Sequence, residues 1–256
     1  MFDEALLARV EDASLNASAP PQQRWIDGWL VRYSPGKARR ARCVNAVAAG
    51  RLPLDERLRL AARVYADAGL PMHVRITPFT QPPTLDGELA ARGWMAIENT
   101  PVMVRPHLDG LGATGPLPAG LHWVELAADR FAATVGALRG SSVAEQRAHA
   151  ERLRWSPTPY RGFALLDDAN EPVCCGQFAR EADWVGLYDV FTAPGRRREG
   201  MARLICERLL IKAAQDGACA AYLQVGSENL GARRVYERLG FAEAYAYHYR
   251  VAPGVV

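Results

Sequence analysis

The segment VFTAPGRRREGMARL, residues 190–204, contains the residues best suited to chemistry in this chain. Its pattern predicts a strand that runs into a helix through a turn rich in glycine and arginine. The first turn of a helix has unpaired main-chain N–H groups and a positive end worth about half a charge, so it binds phosphate well. Gly200 and Ala202 are small enough for a phosphate oxygen to lie within ~3 Å of those nitrogens. Because the arginines at 196–198 add positive charge, we expect a phosphate-binding turn here.

Two common phosphate-binding motifs do not fit this turn. A nucleotide P-loop requires G-x4-G-K-[ST], and Gly195 and Gly200 have its first spacing, but the positions of the lysine and the hydroxyl are taken by Met201 and Ala202. A dinucleotide-binding fold requires G-x-G-x-x-G between the first strand and the helix of a βαβ unit, and no predicted unit of that kind carries such a run. The remaining pattern is Arg197-x-x-Gly200-x-Ala202.

Further along the chain, a second group of residues shares one face of a predicted helix. Asn229, Ala232 and Tyr236 are spaced i, i+3 and i+7, so they lie along two helical turns over roughly 10 Å. This helix ends in Gly240-Phe241. Together with the turn described above, these residues resemble the GNAT N-acetyltransferase superfamily. The pattern of that family is Gln/Arg-x-x-Gly-x-Gly/Ala at a helix start, followed by an Asn, a small residue, a Tyr and a terminal Gly-Phe. The resemblance covers residues 120–252.

The resemblance implies a binding site for acetyl-CoA, without a metal. In this family the turn holds the pyrophosphate of the cofactor, and the pantetheine arm would lie along the helix face that carries Asn229. Main-chain N–H groups at 190–192 would hold the pantetheine and polarise the thioester carbonyl. The cofactor-binding residues that the resemblance implies are Val190, Phe191, Thr192, Arg197, Arg198, Glu199, Gly200, Met201, Ala202, Arg203, Asn229 and Ala232.

The resemblance also implies a catalytic role for Tyr236, as a donor to the departing CoA sulfur. A phenol with a pKa near 10 would transfer its proton to a thiolate of pKa near 8.5 at a cost of about 2 kcal/mol, so hydrogen-bond donation describes this role better. The alternative for Tyr236 is an ordinary helix tyrosine, with its ring in the core and its hydroxyl satisfied. The alternative for Asn229 is a polar residue at a helix terminus, without a ligand.

The acceptor side of the reaction depends on a predicted strand at 184–192. Alternation along this strand places Tyr188 and Val190 on one face and Asp189 on the other. Tyr188 is therefore the second catalytic candidate, as a residue on the acceptor side, and Glu181 is a further candidate for that side. The sequence does not identify a general base.

The elements that position these residues follow from periodicity and turn signals. In the C-terminal part, strands are expected at about 121–126, 160–166, 172–180, 184–192, 219–225 and 241–251, and helices at about 128–139, 143–153, 201–216 and 229–239. Gly217 is expected to end the third of these helices, and Ser227 to be the N-cap of the fourth.

The N-terminal part predicts a shorter unit of the same kind. Helices are expected at about 2–11, 54–68 and 84–92, and strands near 24–34, 39–47, 72–77 and 94–104. Seven Gly or Pro residues among the fifteen at 106–120 are typical of a linker, so we expect domains at 1–115 and 116–256. Aligning Gly93 with Gly240 superposes elements of the two parts, which indicates a weak internal repeat. The predicted fold class is α/β, with two GNAT-like units, a mixed central sheet flanked by helices, and a shortened N-terminal unit.

The first unit resembles the degenerate domain of tandem GNAT proteins. In the alignment of the two parts, Leu52 and Leu54 stand where the second unit has Gly200 and Ala202. Their side chains would occlude a phosphate, and Pro53 has no N–H to donate. We therefore expect this unit to bind no CoA and to serve a structural or acceptor-shaping role.

Three arginines of the first unit need a separate interpretation. Arg39, Arg40 and Arg42 lie close together on a predicted strand. A short run of like charges usually belongs to a solvated face. We therefore expect a solvated strand face here rather than a site for an acidic ligand.

Composition and charge exclude several classes of protein. The chain has 256 residues, of which 49% are hydrophobic and 23% charged, so disordered, collagen-like and coiled-coil classes are excluded. A net charge of only +3, without a block of five like charges, predicts no nucleic-acid partner. The longest apolar run is 218–223, far below the ~20 residues of a membrane span, and the N-terminus has no basic signal segment. An odd number of cysteines without CxxC or HxxxH spacing predicts a cytoplasmic protein without a metal site.

The leading hypothesis is an acetyl-CoA-dependent N-acetyltransferase. Its acceptor, a small-molecule or peptide amine, would attack the thioester directly in a ternary complex, and positioning the two substrates would supply most of the rate. One alternative is a CoA-binding regulatory or interaction protein without catalysis, and another is a binding module outside this family. A homodimer is compatible with the sequence.

Overall fold

The structure is a computed structural model that describes residues 2–113 and 115–254. The N-terminal half contains α1 (Glu4–Ala17), β1 (Gln23–Ile26), β2 (Trp29–Arg32), β3 (Val44–Ala46), α2 (Leu54–Asp67), β4 (His73–Ile76), α3 (Leu85–Ala91) and β5 (Met95–Arg105). The C-terminal half contains β6 (Leu121–Leu126), α4 (Ala128–Arg139), α5 (Val143–Arg154), β7 (Tyr160–Asp167), β8 (Pro172–Glu181), β9 (Trp184–Thr192), α6 (Met201–Gln215), β10 (Ala220–Gln224), α7 (Leu230–Arg238) and β11 (Ala242–Val251). Short 3-10 helices cover Arg39–Ala41 and Pro194–Arg196.

The eleven strands of the described residues all join one mixed sheet, in the order β1-β2-β3-β4-β11-β5-β10-β9-β8-β7-β6. The two halves exchange their last strands in this sheet. β5 of the N-terminal half lies between β10 and β11, and β11 of the C-terminal half lies between β4 and β5. The predicted α/β class with a mixed sheet flanked by helices is thus confirmed. The sheet is continuous through both halves, and the predicted boundary near residue 115 falls in the segment between β5 and β6.

Helices cover both faces of the C-terminal half of the sheet. α6 packs on β8 and β9 through a cluster that includes Leu187, Ile205 and Leu209. On the other face, α4 and α1 pack against the same strands, and their cluster residues include Phe131 and Tyr188. β9 is therefore packed on both faces, and α6, which follows the turn after β9, belongs to one of the two helical layers.

A β-bulge interrupts β9 at Asp189. Cys175 of β8 pairs with Phe191, and Gln177 pairs with Tyr188, so β9 has one extra residue between these pairs. Asp189 has a φ of 52°. The extra residue reverses the alternation of side chains, so Val190 packs on the α6 face while Tyr188 stays on the other. The prediction that Tyr188 and Val190 share a face is therefore wrong.

The remaining elements of the C-terminal half agree with the sequence to within about two residues, apart from one cap. Asn229, and not Ser227, is the N-cap of α7, and its Oδ1 accepts a hydrogen bond from Ala232 N at 3.2 Å. The expectation for Ser227 is wrong because the chain makes a turn first, with the N–H of Asn229 bonded to the carbonyl of Gly226.

The N-terminal half departs further from its predictions. The strand expected at 24–34 is a hairpin of β1 and β2 around Asp27 and Gly28, which both have positive φ. α1 extends to Ala17, well beyond the expected end at residue 11. Arg39–Ala41 is a 3-10 helix, so the expected solvated strand face is wrong, and the guanidinium of Arg40 contacts Gln224 of the other half.

Candidate active site

A cleft of about 690 Å³ lies between the end of β9, the start of α6 and one face of α7. All but one of the predicted cofactor-binding residues line this cleft: Val190, Phe191, Thr192, Arg197, Arg198, Gly200, Met201, Ala202, Arg203, Asn229 and Ala232. The exception is Glu199, whose carboxylate pairs with Arg196 at 2.9 Å. Tyr236 also lines the cleft, so the structure brings the turn and the helix face together.

The wall formed by β9 has main-chain groups without a strand partner. β9 and β10 are paired in parallel only from Trp184↔Ala220 to Leu187↔Leu223, but β9 continues to Thr192. Beyond Leu187 the side of β9 that faces β10 is therefore open. A strand edge of this kind offers N–H and C=O groups to an extended ligand.

The start of α6 forms the second wall. Gly200 precedes the helix with a φ of +80°, a conformation that side chains with a Cβ rarely adopt. No side chain caps this helix, and the first N–H that donates within it is that of Leu204, to the carbonyl of Gly200 at 3.0 Å. The N–H groups of Met201, Ala202 and Arg203 thus point out of the helix end without a protein acceptor in the described chain.

Five arginines surround the cleft, and three of them are not neutralised. Arg196 pairs with Glu199 at 2.9 Å, and Arg203 pairs with Glu207 at 2.7 Å. In the part of the chain that the structure describes, no carboxylate lines the cleft. The arginines without a carboxylate within 4.0 Å among the described residues are Arg197, Arg198 and Arg238. The helix end and these side chains together offer the N–H donors and the positive charge that a multiply charged anion requires.

The face of α7 forms the third wall. The Oδ1 atom of Asn229 caps the helix, while its Nδ2 makes no hydrogen bond to the part of the chain that is described. Asn229 can therefore cap the helix through Oδ1 and still offer Nδ2 to a ligand. The sequence reasoning missed Gly231, Val235 and Arg238 in the cleft, although their spacing of i, i+4 and i+7 on α7 was a readable signal.

Tyr236 is half-buried beside this wall, with its ring 6.2 Å from that of Phe241. Its hydroxyl makes no hydrogen bond to any described residue. Burial raises the pKa of this hydroxyl well above its ordinary value. The group therefore stays protonated at neutral pH, so it can donate a hydrogen bond but is a very weak acid.

The other candidates lie outside the cleft. Tyr188 is buried on the opposite face of β9, where its hydroxyl lies 2.8 Å from that of Tyr222. Burial raises the pKa of Tyr188 well above its ordinary value. Glu181 lies at the far end of the β8–β9 hairpin, paired in register with Trp184, and accepts a hydrogen bond from Asn16 at 2.9 Å.

Asp189, at the bulge, is a carboxylate next to the cleft, but its oxygens already have partners. It accepts hydrogen bonds from Gln177 at 2.6 Å and Arg139 at 2.8 Å, and His149 Nε2 lies 3.3 Å away. Burial opposes its charged form, but His149 and Arg139 hold its pKa well below its ordinary value. A carboxylate so stabilised is a poor general base at neutral pH.

The corresponding helix start in the N-terminal half is already occupied by a side chain. The carboxylate of Asp27 accepts hydrogen bonds from Arg51 N at 2.8 Å and Leu52 N at 2.7 Å, just before α2. A Cβ on Gly50 would lie 2.4 Å from the carbonyl oxygen of Asp27, so this approach requires glycine. Leu54 is buried at the first position of the helix. The sequence reasoning identified the leucines but missed Asp27, because the residue is remote in the sequence.

Two features are absent from the described residues, 2–113 and 115–254. None of the helices there is both long enough and apolar enough to cross a membrane. Within the same ranges, His, Cys, Asp and Glu side chains form no group of three or more that could hold a metal ion.

Comparison with known sequences gives one family. Residues 122–241 match the model of the Acetyltransferase (GNAT) family. Uncharacterized N-acetyltransferase YobR of Bacillus subtilis (strain 168) is 24% identical over 90% of this chain and 92% of its own length. The ribosomal protein bS18-alanine N-acetyltransferase of Escherichia coli (strain K12) is 30% identical over 39% of this chain and 71% of its own length.

Solved structures share the fold. A GCN5-related N-acetyltransferase from Kribbella flavida superposes with a TM-score of 0.68 at 18% identity, covering 96% of this chain and 95% of that one. A tandem GNAT protein from the clavulanic acid biosynthesis pathway has a TM-score of 0.62 at 15% identity and covers 79% of this chain and 71% of its own. At these identities the likeness concerns the fold alone.

Proposed function

Because this chain is an acyltransferase that belongs to the GNAT acetyltransferase family, we propose that it transfers the acetyl group of acetyl-CoA to an amine in a ternary complex. The observation that carries this proposal is the cleft in which an uncapped helix start, three unneutralised arginines and an open strand edge meet. These groups match the two parts of CoA that must be held, a charged pyrophosphate and an extended amide arm.

The start of α6 would hold the pyrophosphate. The free N–H groups of Met201, Ala202 and Arg203 donate to its oxygens, and the small side chain of Ala202 leaves the approach open. Arg197 and Arg198 neutralise the remaining charge. The pantetheine arm would lie between the edge of β9 and the face of α7, where the free Nδ2 of Asn229 supplies a donor. When bound, acetyl-CoA supplies an activated acyl group.

The residues nearest the reacting atoms have separate tasks in this proposal. Main-chain N–H groups on the open edge of β9, within Val190–Thr192, polarise the thioester carbonyl, and one such donor typically contributes about 10²- to 10³-fold to a rate. The hydroxyl of Tyr236 donates a hydrogen bond to the departing sulfur. No carboxylate of the described residues lines the cleft, and Asp189 is a weak base, so the amine loses its proton to water before it attacks.

We further propose that catalysis belongs to residues 116–256 and that residues 1–115 bind no CoA. The carboxylate of Asp27 takes the N–H groups of Arg51 and Leu52 just before α2, Pro53 has no N–H to donate, and Leu54 is buried at the helix start. The first half instead supplies β5 to the sheet and the loop at 34–40 to the far side of β9.

The test combines acetyl-CoA binding with CoA release. We expect acetyl-CoA to raise the melting temperature, since ligand at 100 times its Kd stabilises the folded state by roughly 2.7 kcal/mol, and we expect CoA release with at least one amine of a broad panel. Ala202→Leu, which copies the first unit, should weaken acetyl-CoA binding at least tenfold. Ala133→Leu, on the exposed surface of α4, should not. Binding without CoA release from any amine would contradict the proposed transfer.

A further inference from the structure

A second cavity lies on the other side of β9, between α4, α5 and the loop at 34–40. Its volume of about 240 Å³ equals that of about eight water molecules, which suits a small molecule or the end of a chain. Asp189 lines this cavity, and the next residue, Val190, lines the cleft. Consecutive Cα atoms are about 3.8 Å apart, so the cavity lies next to the main chain at which we place the acyl group.

The cavity has an excess of positive charge. Four cationic side chains and two carboxylates line it. Both carboxylates are neutralised, because Glu145 lies 3.2 Å from Lys37 and Asp189 lies 2.8 Å from Arg139. Among the described residues, the cations of this cavity without a carboxylate within 4.0 Å are Arg40 and Arg152.

Arg40 is fixed in place but has unused donors. Its guanidinium lies 5.5 Å from the ring centroid of Tyr188 and donates one hydrogen bond, to Gln224 Oε1. The same Oε1 accepts from Tyr247 at 2.9 Å. A guanidinium has five N–H donors in a planar fork that matches a carboxylate or a phosphate. Its partners here are neutral, so its positive charge remains available to a ligand.

We propose that the acceptor is an amine that also carries a carboxylate or phosphate group, and that Arg40 and Arg152 bind this group. The inference rests on the proposed acetyl transfer and adds the class of its second substrate. An amine whose anionic group is held by Arg40 and Arg152 would lie in the same cavity as Asp189, the residue before Val190. The excess positive charge also disfavours the ammonium form of the amine, so it promotes the neutral form that attacks.

The experiment compares amines that differ only in the anionic group. β-Alanine is paired with β-alaninamide, and O-phosphoethanolamine with ethanolamine, so the two pairs separate a carboxylate from a phosphate. kcat/KM is measured for the wild type, Arg40→Gln, Arg152→Gln and the control Arg63→Gln, which lies on the exposed surface of α2. For each protein we take the ratio of kcat/KM for the acidic amine to kcat/KM for its neutral counterpart. Comparing this ratio between proteins cancels the effect of the different basicity of the two amines.

We expect this ratio to fall at least tenfold in Arg40→Gln and Arg152→Gln for one of the two pairs, and to stay unchanged in Arg63→Gln. Arg40→Lys, which keeps the charge but loses the fork, should retain part of the preference. Equal ratios in all four proteins would overturn the inference and leave the acetyl transfer intact.

A protein that binds acetyl-CoA but acetylates no amine would refute the proposed transfer instead. The anion site is then tested by measuring the melting temperature of the protein with and without β-alanine or O-phosphoethanolamine. A stabilisation that Arg40→Gln abolishes supports the site, and the absence of any stabilisation overturns it.

Discussion

Tyr236→Phe separates a catalytic hydroxyl from a structural one. The change removes only an oxygen that has no hydrogen-bond partner among the described residues, and it keeps the ring that packs against Phe241. Folding stability should therefore change by less than about 0.5 kcal/mol. A hydrogen bond to a charged acceptor contributes about 1.5–3 kcal/mol, and the departing sulfur gains its charge only as the bond breaks. Since about 1.4 kcal/mol corresponds to a tenfold change, kcat should fall about 10- to 150-fold, with the KM for acetyl-CoA within about twofold.

The assay is CoA release at saturating acetyl-CoA, followed in a single turnover so that slow product release does not mask the chemical step. The matched control is Tyr65→Phe in the N-terminal half. The buried hydroxyl of Tyr65 donates to the carbonyl of Arg32 at 2.8 Å, so this variant should lose about 1–2 kcal/mol of stability and keep its kcat. If Tyr236→Phe retains more than half of the wild-type single-turnover rate, the role assigned to this hydroxyl is refuted.

Two further predictions concern charge. Main-chain N–H donors, first that of Leu52, hold the pKa of Asp27 below its ordinary value. The ionised carboxylate of Asp27 therefore stabilises the folded state at pH values above its unfolded pKa of about 3.9. This stabilisation is lost as the pH falls through the lower folded pKa. Asp27→Asn should lower the melting temperature at neutral pH, with a gap from the wild type that closes in acid, and a gap independent of pH would contradict this. The pKa of Asp189 lies well below neutrality and that of Tyr236 well above, so kcat/KM should rise with pH around the pKa of the free amine. A midpoint that stays fixed as the amine is varied would indicate an unrecognised base on the protein.

Local requirements explain why much of the cleft could be predicted from the sequence. Three features of the cleft depend only on residues close together in the chain. They are the positive φ at Gly200, the small side chain of Ala202, and the helical spacing from Asn229 to Tyr236. The same holds for the strands and helices of the C-terminal half, whose periodicity is clear because each has one buried face. The roles of these residues remain predictions, while their presence in one cleft is a property of the fold.

Features that depend on a distant partner could not be predicted. The bulge at Asp189 depends on the pairing of β9 with β8, and one inserted residue moved Val190 to the other face. Asp27 reaches the start of α2 through the close approach of Gly50, a contact that periodicity does not encode. The sequence predicted Arg40 on a solvated strand face because its hydrogen-bond partner, Gln224, belongs to the other half of the chain.

The exchange of β5 and β11 governs the order in which the protein can be completed during synthesis. β5 leaves the ribosome before β10 and β11, the two strands that flank it, have been made. β4 also lacks one of its two partner strands until the end of synthesis, because its residue His73 pairs with Val251 of β11. Until the last strand arrives, the nascent chain exposes unpaired strand edges, which are templates for aggregation, and pairings so remote in sequence form slowly. A protease cut within 106–120 would leave each fragment with a strand that belongs between strands of the other, so the two pieces should stay associated after cleavage.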